Sequence, residues 1–375
     1  MLCWSCQSGT GKEVAKREPV FKAVAPKPTL NEAEKTKYHN LVDNFLQHNL
    51  LRGSFNGAIL VAKNGVPVYE RYVGFRDLRT KDSITAETQF QIASTSKPFT
   101  AAAVLQLVQQ GKIDLNAPVS QFFPGFPYPE VTVKLLLNHR SGLPNYLYYM
   151  EEGKWNRKQL ASNQDVVNTL LTWQPPRAYR TNTHFNYCNT NYVLLASIVE
   201  KVTGLSFPQY MKQNIFEPLG MTNTYIHTIL DSARTTPSFD GYGGLWPLDF
   251  SDGPYGDKNV YSTPHDLLKW DQSWYTNVLL DEAIKDSAFT PYSNERPSTH
   301  NYGLGWRLLT APNGKRVIYH NGRWHGFNSA FARLTDEKVT IIILSNRFNR
   351  NVYGVARKMY NLFGNYDGRE DAGEE

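Results

Sequence analysis

β-Strand patterns at both ends of the chain constrain its fold more than any other feature. Two β-rich runs near the start, 57–63 and 66–73, flank Asn64-Gly65, a pair typical of a type I′ hairpin turn. Further runs separated by turn residues predict an antiparallel meander near the end, at 305–310, 316–319, 327–334 and 339–345. Regions so far apart in sequence form one sheet most simply if the chain returns to where it began.

The section between the β-rich regions carries helical patterns. Helices are predicted near residues 133–137, 163–171, 191–202, 207–215 and 264–275, with one more from Asn31 and one over 351–363. The expected fold class is α/β in the loose, α+β sense: an antiparallel sheet built from both chain ends, flanked by helices, with a largely helical insert. We expect one domain at 32–366, with its sheet part at 32–115 and 295–366, its helical part at 116–294, and an acidic tail at 367–375.

Residues 1–31 are interpreted as a leader remnant and tether. They are polar, basic and proline-containing after Cys6, which favours an extended chain. Cys3 and Cys6 form a Cys-x-x-Cys pair, but no second pair completes a zinc site. The segment is similar to the end of a bacterial lipoprotein signal, with Cys6 as the candidate lipid-anchored residue, although the apolar run expected before it is missing. A cell-envelope location, periplasmic or lipid-anchored, is therefore expected.

Composition excludes several other classes of protein. The hydrophobic fraction of 41% and the aromatic fraction of 13% exclude a disordered or collagen-like chain. The net charge of +6 does not indicate a nucleic-acid partner, because Lys and Arg are scattered after the tether. No metal-ligand set and no complete phosphate loop are visible in the sequence, so neither a metal nor a cofactor is expected.

Ser94 and Lys97 form the only Ser-x-x-Lys of the sequence, directly before a stretch rich in helix formers. Pro98 suits a first helical turn, because the amide groups there lack intrahelical partners. If Ser94 and Lys97 are helical, their spacing places both side chains on one face, near the positive end of the helix dipole. The motif alone is weak, because chains of this length often contain one by chance.

Two later groups add to this motif. Tyr187 and Asn189 lie where a polar loop runs into an apolar helix, although Tyr-x-Asn recurs elsewhere and only order and context select this copy. The third group, His320-Asn321-Gly322-Arg323, is predicted at the junction of two strands, where a substrate could pair along a strand edge. His139 and His325 are interpreted as structural.

In this order, Ser-x-x-Lys, Tyr-x-Asn and His-x-Gly resemble the motifs of the serine β-lactamase and penicillin-binding protein superfamily, in particular its class C branch. The resemblance extends over roughly residues 32–365 through similar segments at 135–144, 218–224, 261–267 and 302–306. That branch includes β-lactamases, DD-carboxypeptidases, D-aminopeptidases and esterases. The resemblance implies a serine hydrolase of ester or amide bonds, acting on small-molecule or peptide acyl substrates such as D-amino-acid peptides or β-lactams. The oligomeric state stays open.

The resemblance also implies a role for each motif residue. Ser94 would form an acyl-enzyme, with Lys97 or Tyr187 as the base. Ionising a tyrosine at pH 7 costs about 4 kcal/mol, which one ammonium about 4 Å away can supply at an effective dielectric near 20. The sequence leaves both bases open, as well as a proton shared between them. Asn189 would bind Lys97 or the substrate amide, and the backbone N–H groups of Ser94 and Arg323 would form the oxyanion hole.

The third motif departs from the β-lactamase form, because His320 and Asn321 stand in place of Lys and Thr. A histidine is only partly charged at pH 7, and Lys97 nearby lowers its charge further. Binding of a substrate carboxylate is then expected to be weak unless Arg323 supplies a cation, although its side chain could equally point to solvent. We therefore expect a peptidase or esterase rather than an efficient β-lactamase. The alternative is a non-catalytic penicillin-binding sensor with the same fold.

Overall fold

The computed structural model of the protein describes residues 29–153 and 155–367. The expected tether up to residue 28, with Cys6, and residues 368–375 of the expected tail lie outside the described part. The main sheet takes two strands from the start of the chain, β1 (Gly57–Lys63) and β2 (Val66–Val73). The last part of the chain adds β8 (His300–Tyr302), β9 (Arg307–Thr310), β10 (Arg316–Trp324), β11 (Phe327–Leu334) and β12 (Val339–Ser345).

The sheet has the order β2-β1-β12-β11-β10-β9-β8, and every neighbouring pair is antiparallel. β1 and β12 pair along their whole length, from Gly57 opposite Ser345 to Lys63 opposite Val339. This pairing joins the two ends of the chain and confirms the predicted fold class. Shorter strands form two small sheets, from β3 (Phe75–Asp77) with β4 (Asp82–Ser83), and from β5 (Phe90–Gln91), β6 (Tyr225–Ile226) and β7 (Val260–Ser262).

Helices cover both faces of the main sheet. The described helices are α1 (Glu32–Leu46), α2 (Lys97–Gln109), α3 (Val133–Leu137), α4 (Tyr146–Glu152), α5 (Asn163–Trp173), α6 (Asn189–Thr203), α7 (Phe207–Met211), α8 (Pro264–Ser273), α9 (Glu282–Ala288) and α10 (Asn351–Lys358). Ile341 and Ile343 of β12 pack in one core with residues of α1 and α10, whereas Ile342 and Leu344 pack in the other with residues of α2 and α8. Every residue of β12 is therefore buried, and its central run Ile341–Leu344 is apolar without polar alternation.

Local signals explain where several elements begin. The Asn31 side chain accepts a hydrogen bond from Glu34 N, and the Glu34 side chain accepts one from the Asn31 backbone N–H, which fixes the start of α1. The Asn64-Gly65 turn has positive φ at both residues, as a type I′ turn requires. α4 and α9, of seven residues each, were not predicted. No helix in the described ranges combines the length and apolarity needed to cross a bilayer.

Several predicted boundaries differ from the structure. β9 begins at Arg307, two residues later than predicted, and α7 ends at Met211, four residues earlier than predicted. The strand predicted to end at Tyr319 continues to Trp324, so the third motif lies inside β10 and not at a junction of two strands. Asn321-Gly322 has the composition of a turn, but the pairing of β10 with β11 continues through it. The C-terminal helix, predicted over 351–363, ends at Lys358 and continues as a 3₁₀ turn over Met359–Leu362.

Candidate active site

Ser94 lies in a short 3₁₀ turn, Ala93–Ser96, between β5 and α2. Ala93 has a φ of +48°, a left-handed conformation that costs a residue with a β-carbon roughly 1 kcal/mol or more. α2 is buried from Lys97 to Leu107, so a fully packed helix holds the turn in place. Strain directly before a half-buried serine, in a turn that a packed helix holds in place, is typical of a functional position.

Lys97 connects three parts of the chain at this point. Its Nζ lies 3.0 Å from Ser94 Oγ, 2.8 Å from Asn189 Oδ1 and 2.8 Å from the main-chain oxygen of Asp257. An ammonium would donate to all three oxygens, whereas a neutral amine would donate to Asn189 and Asp257 and turn its lone pair to the Ser94 hydroxyl. Asn189 is the first residue of α6, and its side chain is used for Lys97 and not as the helix cap.

The ring of Tyr187 borders the same site. Its centroid lies 4.8 Å from Lys97 Nζ and 5.2 Å from Arg307 Cζ, so two cations approach one half-buried ring. The ring of His139 stacks obliquely on it at 4.4 Å. The structure thus brings Ser94, Lys97, Tyr187 and Asn189 together, as the sequence predicted.

His320 is an uncharged residue in the wall of the candidate active site. It is fully buried, and its Nδ1 lies 2.8 Å from the main-chain oxygen of Asn321, which requires Nδ1–H as the donor. Its Nε2 is then the acceptor for the Tyr302 hydroxyl at 3.1 Å. Burial first, and then the charges of Arg307 and Lys97, hold the pKa of His320 well below its usual value. Neither ring nitrogen is left to bind a substrate group.

The rest of the third motif lies against the nucleophile. A β-carbon on Gly322 would stand 2.8 Å from Ser94 N, so only glycine allows this approach. Asn321 is half-buried beside it. The Arg323 side chain is exposed, and its guanidinium lies 4.7 Å from the Phe348 ring, which is the solvent-pointing alternative considered from the sequence. β9 pairs with β10 only over residues 316–319, so the edge at 320–324 has no described strand beside it.

Arg307 is the residue that the sequence did not reveal. It lies in β9, half-buried, and within the described residues it has no carboxylate partner within 4.0 Å. A cavity of about 680 Å³ at this end of the site is lined by Arg307, Arg296, His300, Tyr302 and Phe185. The one sequence feature near Arg307 that resembles the family is the segment before it, 302–306. This segment is uncharged and did not indicate a cation at the site.

A second cavity, of about 1000 Å³, lies at the other end of the open β10 edge. Trp324, the last residue of β10, lines it together with Trp246, Tyr255, Tyr261 and Phe327. Gln91, three residues before Ser94, is also part of its wall. One cavity, with Arg307, Arg296 and Glu295 in its wall, thus lies beside Tyr302, and an aromatic cavity lies beside Trp324; Ser94 itself lines neither of them.

His139 and His325, the two histidines interpreted as structural from the sequence, have mainly internal partners. His139 Nδ1 accepts from Cys188 N at 3.1 Å, and burial followed by the Lys97 charge lowers its pKa well below the usual value. His325 Nε2 lies 2.9 Å from Asp252 Oδ1. Among the described residues, one cluster has three side chains of the metal-ligating type: Asp249, Asp252 and His325. One potential ligand atom from each lies within 4.8 Å of the others. The Asp252 carboxylate in it also accepts from Trp324 Nε1.

Comparisons with known proteins identify the family of the chain. A model of the Beta-lactamase family matches residues 34–365. Penicillin-binding protein 4* of Bacillus subtilis (strain 168) is 34% identical over 310 residues, which cover 78% of this chain and 68% of that protein. Protein flp of Staphylococcus aureus (strain N315) is 27% identical over 325 residues, covering 81% and 62%. The chain thus spans about two thirds of the length of these curated relatives.

Solved structures share the fold. A penicillin binding protein from Bacillus halodurans superimposes with a TM-score of 0.74 at 24% identity, covering 89% of this chain and all of that one. D-amino acid amidase from Ochrobactrum anthropi SV3 superimposes with a TM-score of 0.71 at 23% identity, covering 87% and 97%. The family match over most of the described residues and the 34% identity to penicillin-binding protein 4* lead to one conclusion. The chain belongs to the Beta-lactamase family of serine hydrolases.

Proposed function

We propose that the protein hydrolyses amide or ester bonds of D-amino-acid peptides through an acyl-enzyme on Ser94. The observation that carries the proposal is the 3.0 Å contact of Lys97 Nζ with Ser94 Oγ, supported by Asn189 and the Asp257 carbonyl. In the first step, Ser94 Oγ bonds to the substrate carbonyl carbon while its proton passes to Lys97 or Tyr187. That proton then goes to the leaving amine or alkoxide, and water releases the acyl group by the reverse route.

The backbone N–H groups of Ser94 and Arg323 are assigned to the oxyanion hole in this proposal. The close packing of Gly322 on Ser94 N supports it, because it brings the two chain segments side by side. An extended substrate would lie along the open edge of β10 at 320–324.

The two cavities suggest how the substrate is oriented. Arg307 has no described acidic partner, so it is available for a carboxylate on the leaving-group side, where neutral His320 is not. The acyl side would then point to the aromatic cavity beyond Trp324. D-Amino-acid peptides with a free carboxylate fit this polarity, and one structural relative is a D-amino acid amidase. Peptides of this kind occur in bacterial cell walls, so we also propose an envelope location.

Intact mass and substrate turnover test the proposal. The protein is incubated with a fluorescent penicillin, a D-alanyl-D-alanine peptide, a D-amino acid amide and a p-nitrophenyl ester. We expect an adduct on Ser94 and turnover of the peptide, amide or ester that is lost in Ser94→Ala and kept in Ser54→Ala, which changes an exposed serine. An adduct without turnover would assign the protein as a penicillin-binding sensor. The absence of both an adduct and turnover would refute an acyl-enzyme on Ser94.

A further inference from the structure

Trp324, the last residue of β10, lies between two buried charges. Its indole Nε1–H donates to Asp252 Oδ1 at 2.6 Å, and Lys258 Nζ lies 4.5 Å from its ring centroid. Asp252 is 8% exposed and Lys258 is 2% exposed, so water does not screen either contact. An anion thus holds the edge of the indole and a cation holds its face.

The turn that carries Asp252 fixes its carboxylate. Asp252 Oδ2 accepts from the backbone nitrogen of Asp249 at 2.6 Å, and both oxygens lie within 3.0 Å of His325 Nε2. The main-chain oxygen of Asp252 accepts from Asn259 Nδ2 at 2.7 Å. Asp252 is therefore an anchored acceptor, and its contacts account for the packing of His325 against this turn.

Lys258 is anchored in the same way. Its Nζ lies 3.2 Å from Asp257 Oδ2 and contacts the Tyr146 hydroxyl, which itself donates to Asp257 Oδ2 at 3.1 Å. The main-chain oxygen of Asp257 is one of the three contacts of Lys97 Nζ. One buried network thus reaches from the lysine of the candidate site to the end of the strand that carries Arg323.

We propose that Asp252 and Lys258 are positioning residues that hold Trp324 and, through it, the neighbouring Arg323 N–H in the oxyanion hole. The inference rests on the proposed acyl-enzyme function. It follows from the pairing of the sheet, because residues 320–324 have β11 on one edge and no described strand on the other. The ladder restrains this end of β10 from one side, and the nucleophile turn packs against it at Gly322. Beyond Gly322, the two charges restrain the strand through the Trp324 side chain.

The first test uses Trp324→Phe, which keeps an aromatic face for Lys258 and deletes the hydrogen bond to Asp252. Trp155→Phe is the matched control, because it deletes an indole hydrogen bond of 2.9 Å to the Gln159 carbonyl elsewhere. Turnover of a p-nitrophenyl ester, affinity for phenylboronic acid and melting temperature are measured. Phenylboronic acid reports on the oxyanion hole, because Ser94 Oγ bonds to its boron, the serine proton goes to the base, and a boron-bound oxygen takes the oxyanion position.

For Trp324→Phe we expect kcat and boronic-acid affinity to fall together by about tenfold, because small displacements of catalytic groups have large effects on rate. KM should stay within about twofold, because phenylalanine keeps an aromatic side chain in the wall of the acyl-side cavity. Melting temperature should fall no further than in Trp155→Phe. Unchanged kcat, or a fall in kcat without weaker boronic-acid binding, would overturn the proposal.

Asp252 provides a second, graded test. Asp252→Asn keeps an oxygen acceptor for the indole N–H, whereas Asp252→Ala removes it. We expect the asparagine variant to keep kcat within about threefold and the alanine variant to lose at least as much as Trp324→Phe, as a hydrogen bond to a positioning group requires. Equal losses in both variants would overturn the inference. Failure of the proposed function is distinguishable, because the wild type would then show no ester turnover that depends on Ser94.

Discussion

Gly322 lies so close to Ser94 that a β-carbon on the glycine would stand 2.8 Å from the serine backbone nitrogen. The same carbon would stand 2.5 Å from Ser329 Oγ and would also meet the Ile92 carbonyl. Two of these neighbours are backbone atoms, which cannot move aside as the end of a flexible side chain can. The strand and the nucleophile turn are therefore in contact without space for any side chain.

Gly322→Ala is expected to move β10 away from the nucleophile turn. We expect ester kcat/KM to fall by about 100-fold, because both proposed oxyanion donors lie at this contact. The unfolding free energy should fall by about 1–3 kcal/mol, as in other overpacked sites. Steady-state kinetics and urea denaturation measure the two effects.

Gly354→Ala is the matched control for this substitution. Gly354 lies inside α10, and a methyl group added there would meet no atom within 4 Å beyond its chain neighbours and the backbone of its own helix. Alanine should leave kinetics unchanged and stabilise the protein by about 0.4–1 kcal/mol, because it restricts the unfolded chain. Wild-type activity in Gly322→Ala would contradict the close contact.

Sequence patterns predicted those parts of this protein that depend on local signals. β11, β12 and α3 have the predicted bounds, because apolar runs between turn residues are local. The grouping of Ser94, Lys97, Tyr187 and Asn189 followed from a known order of motifs. Roles of these residues stay predictions until they are tested.

Features that depend on tertiary contacts could not be predicted. Arg307 reaches Tyr187 from a neighbouring strand, and no local pattern in β9 marks that contact. The hydrogen bond between the Tyr302 hydroxyl and His320 and the burial of His320 likewise depend on packing between β8 and β10. The acceptor for Lys97 at Asp257 is a main-chain oxygen, which any residue type could supply.

The base is assigned by comparing two variants. We expect Lys97 to take the Ser94 proton, because Asn189 and the Asp257 carbonyl can hold two hydrogens of the neutral amine and leave its lone pair for the serine. Lys97→Met should then lower ester kcat/KM by about 10⁴-fold and Tyr187→Phe by about 10²-fold, within the range of general-base effects. Kinetics over a range of pH are the measurement.

Two exposed residues serve as controls for these variants. Lys112→Met and Tyr148→Phe make the same chemical changes on the surface, away from Ser94, and should leave kcat/KM unchanged. A larger loss in Tyr187→Phe than in Lys97→Met would assign the tyrosine as the base.

Arg307 is expected to select substrates with a carboxylate on the leaving-group side. Arg307→Gln should raise KM for a D-alanyl-D-alanine peptide by about tenfold or more, because it removes a charge-assisted hydrogen bond worth about 1.5–3 kcal/mol. The same peptide with an amidated C-terminus should be affected less than threefold, since it lacks the charge. Arg316→Gln, at an exposed position of β10, is the control. Equal effects on both peptides would remove Arg307 from carboxylate binding.

Acid should destabilise the fold through its two buried neutral histidines. Burial, followed by the charge of Lys97 for His139 and of Arg307 for His320, holds both pKa values well below the usual one. Below a pH of about 6.5 the unfolded chain binds protons that the folded state does not, so unfolding becomes easier as pH falls. Each histidine should contribute up to about 1.4 kcal/mol per pH unit, from the unfolded pKa down towards the folded one.

Urea denaturation at pH 7, 6 and 5 measures this dependence, and His320→Gln isolates one of the two contributions. The variant loses a buried side chain that must gain a proton on unfolding, so its stability should fall less steeply between pH 6 and pH 5, by about 1.4 kcal/mol per unit at most. His48→Gln, which changes an exposed histidine, should keep the wild-type slope. If the stability of His320→Gln fell with pH as steeply as that of the wild type, His320 would gain its proton in the folded state. His320 would then be a cation in the active site at acidic pH.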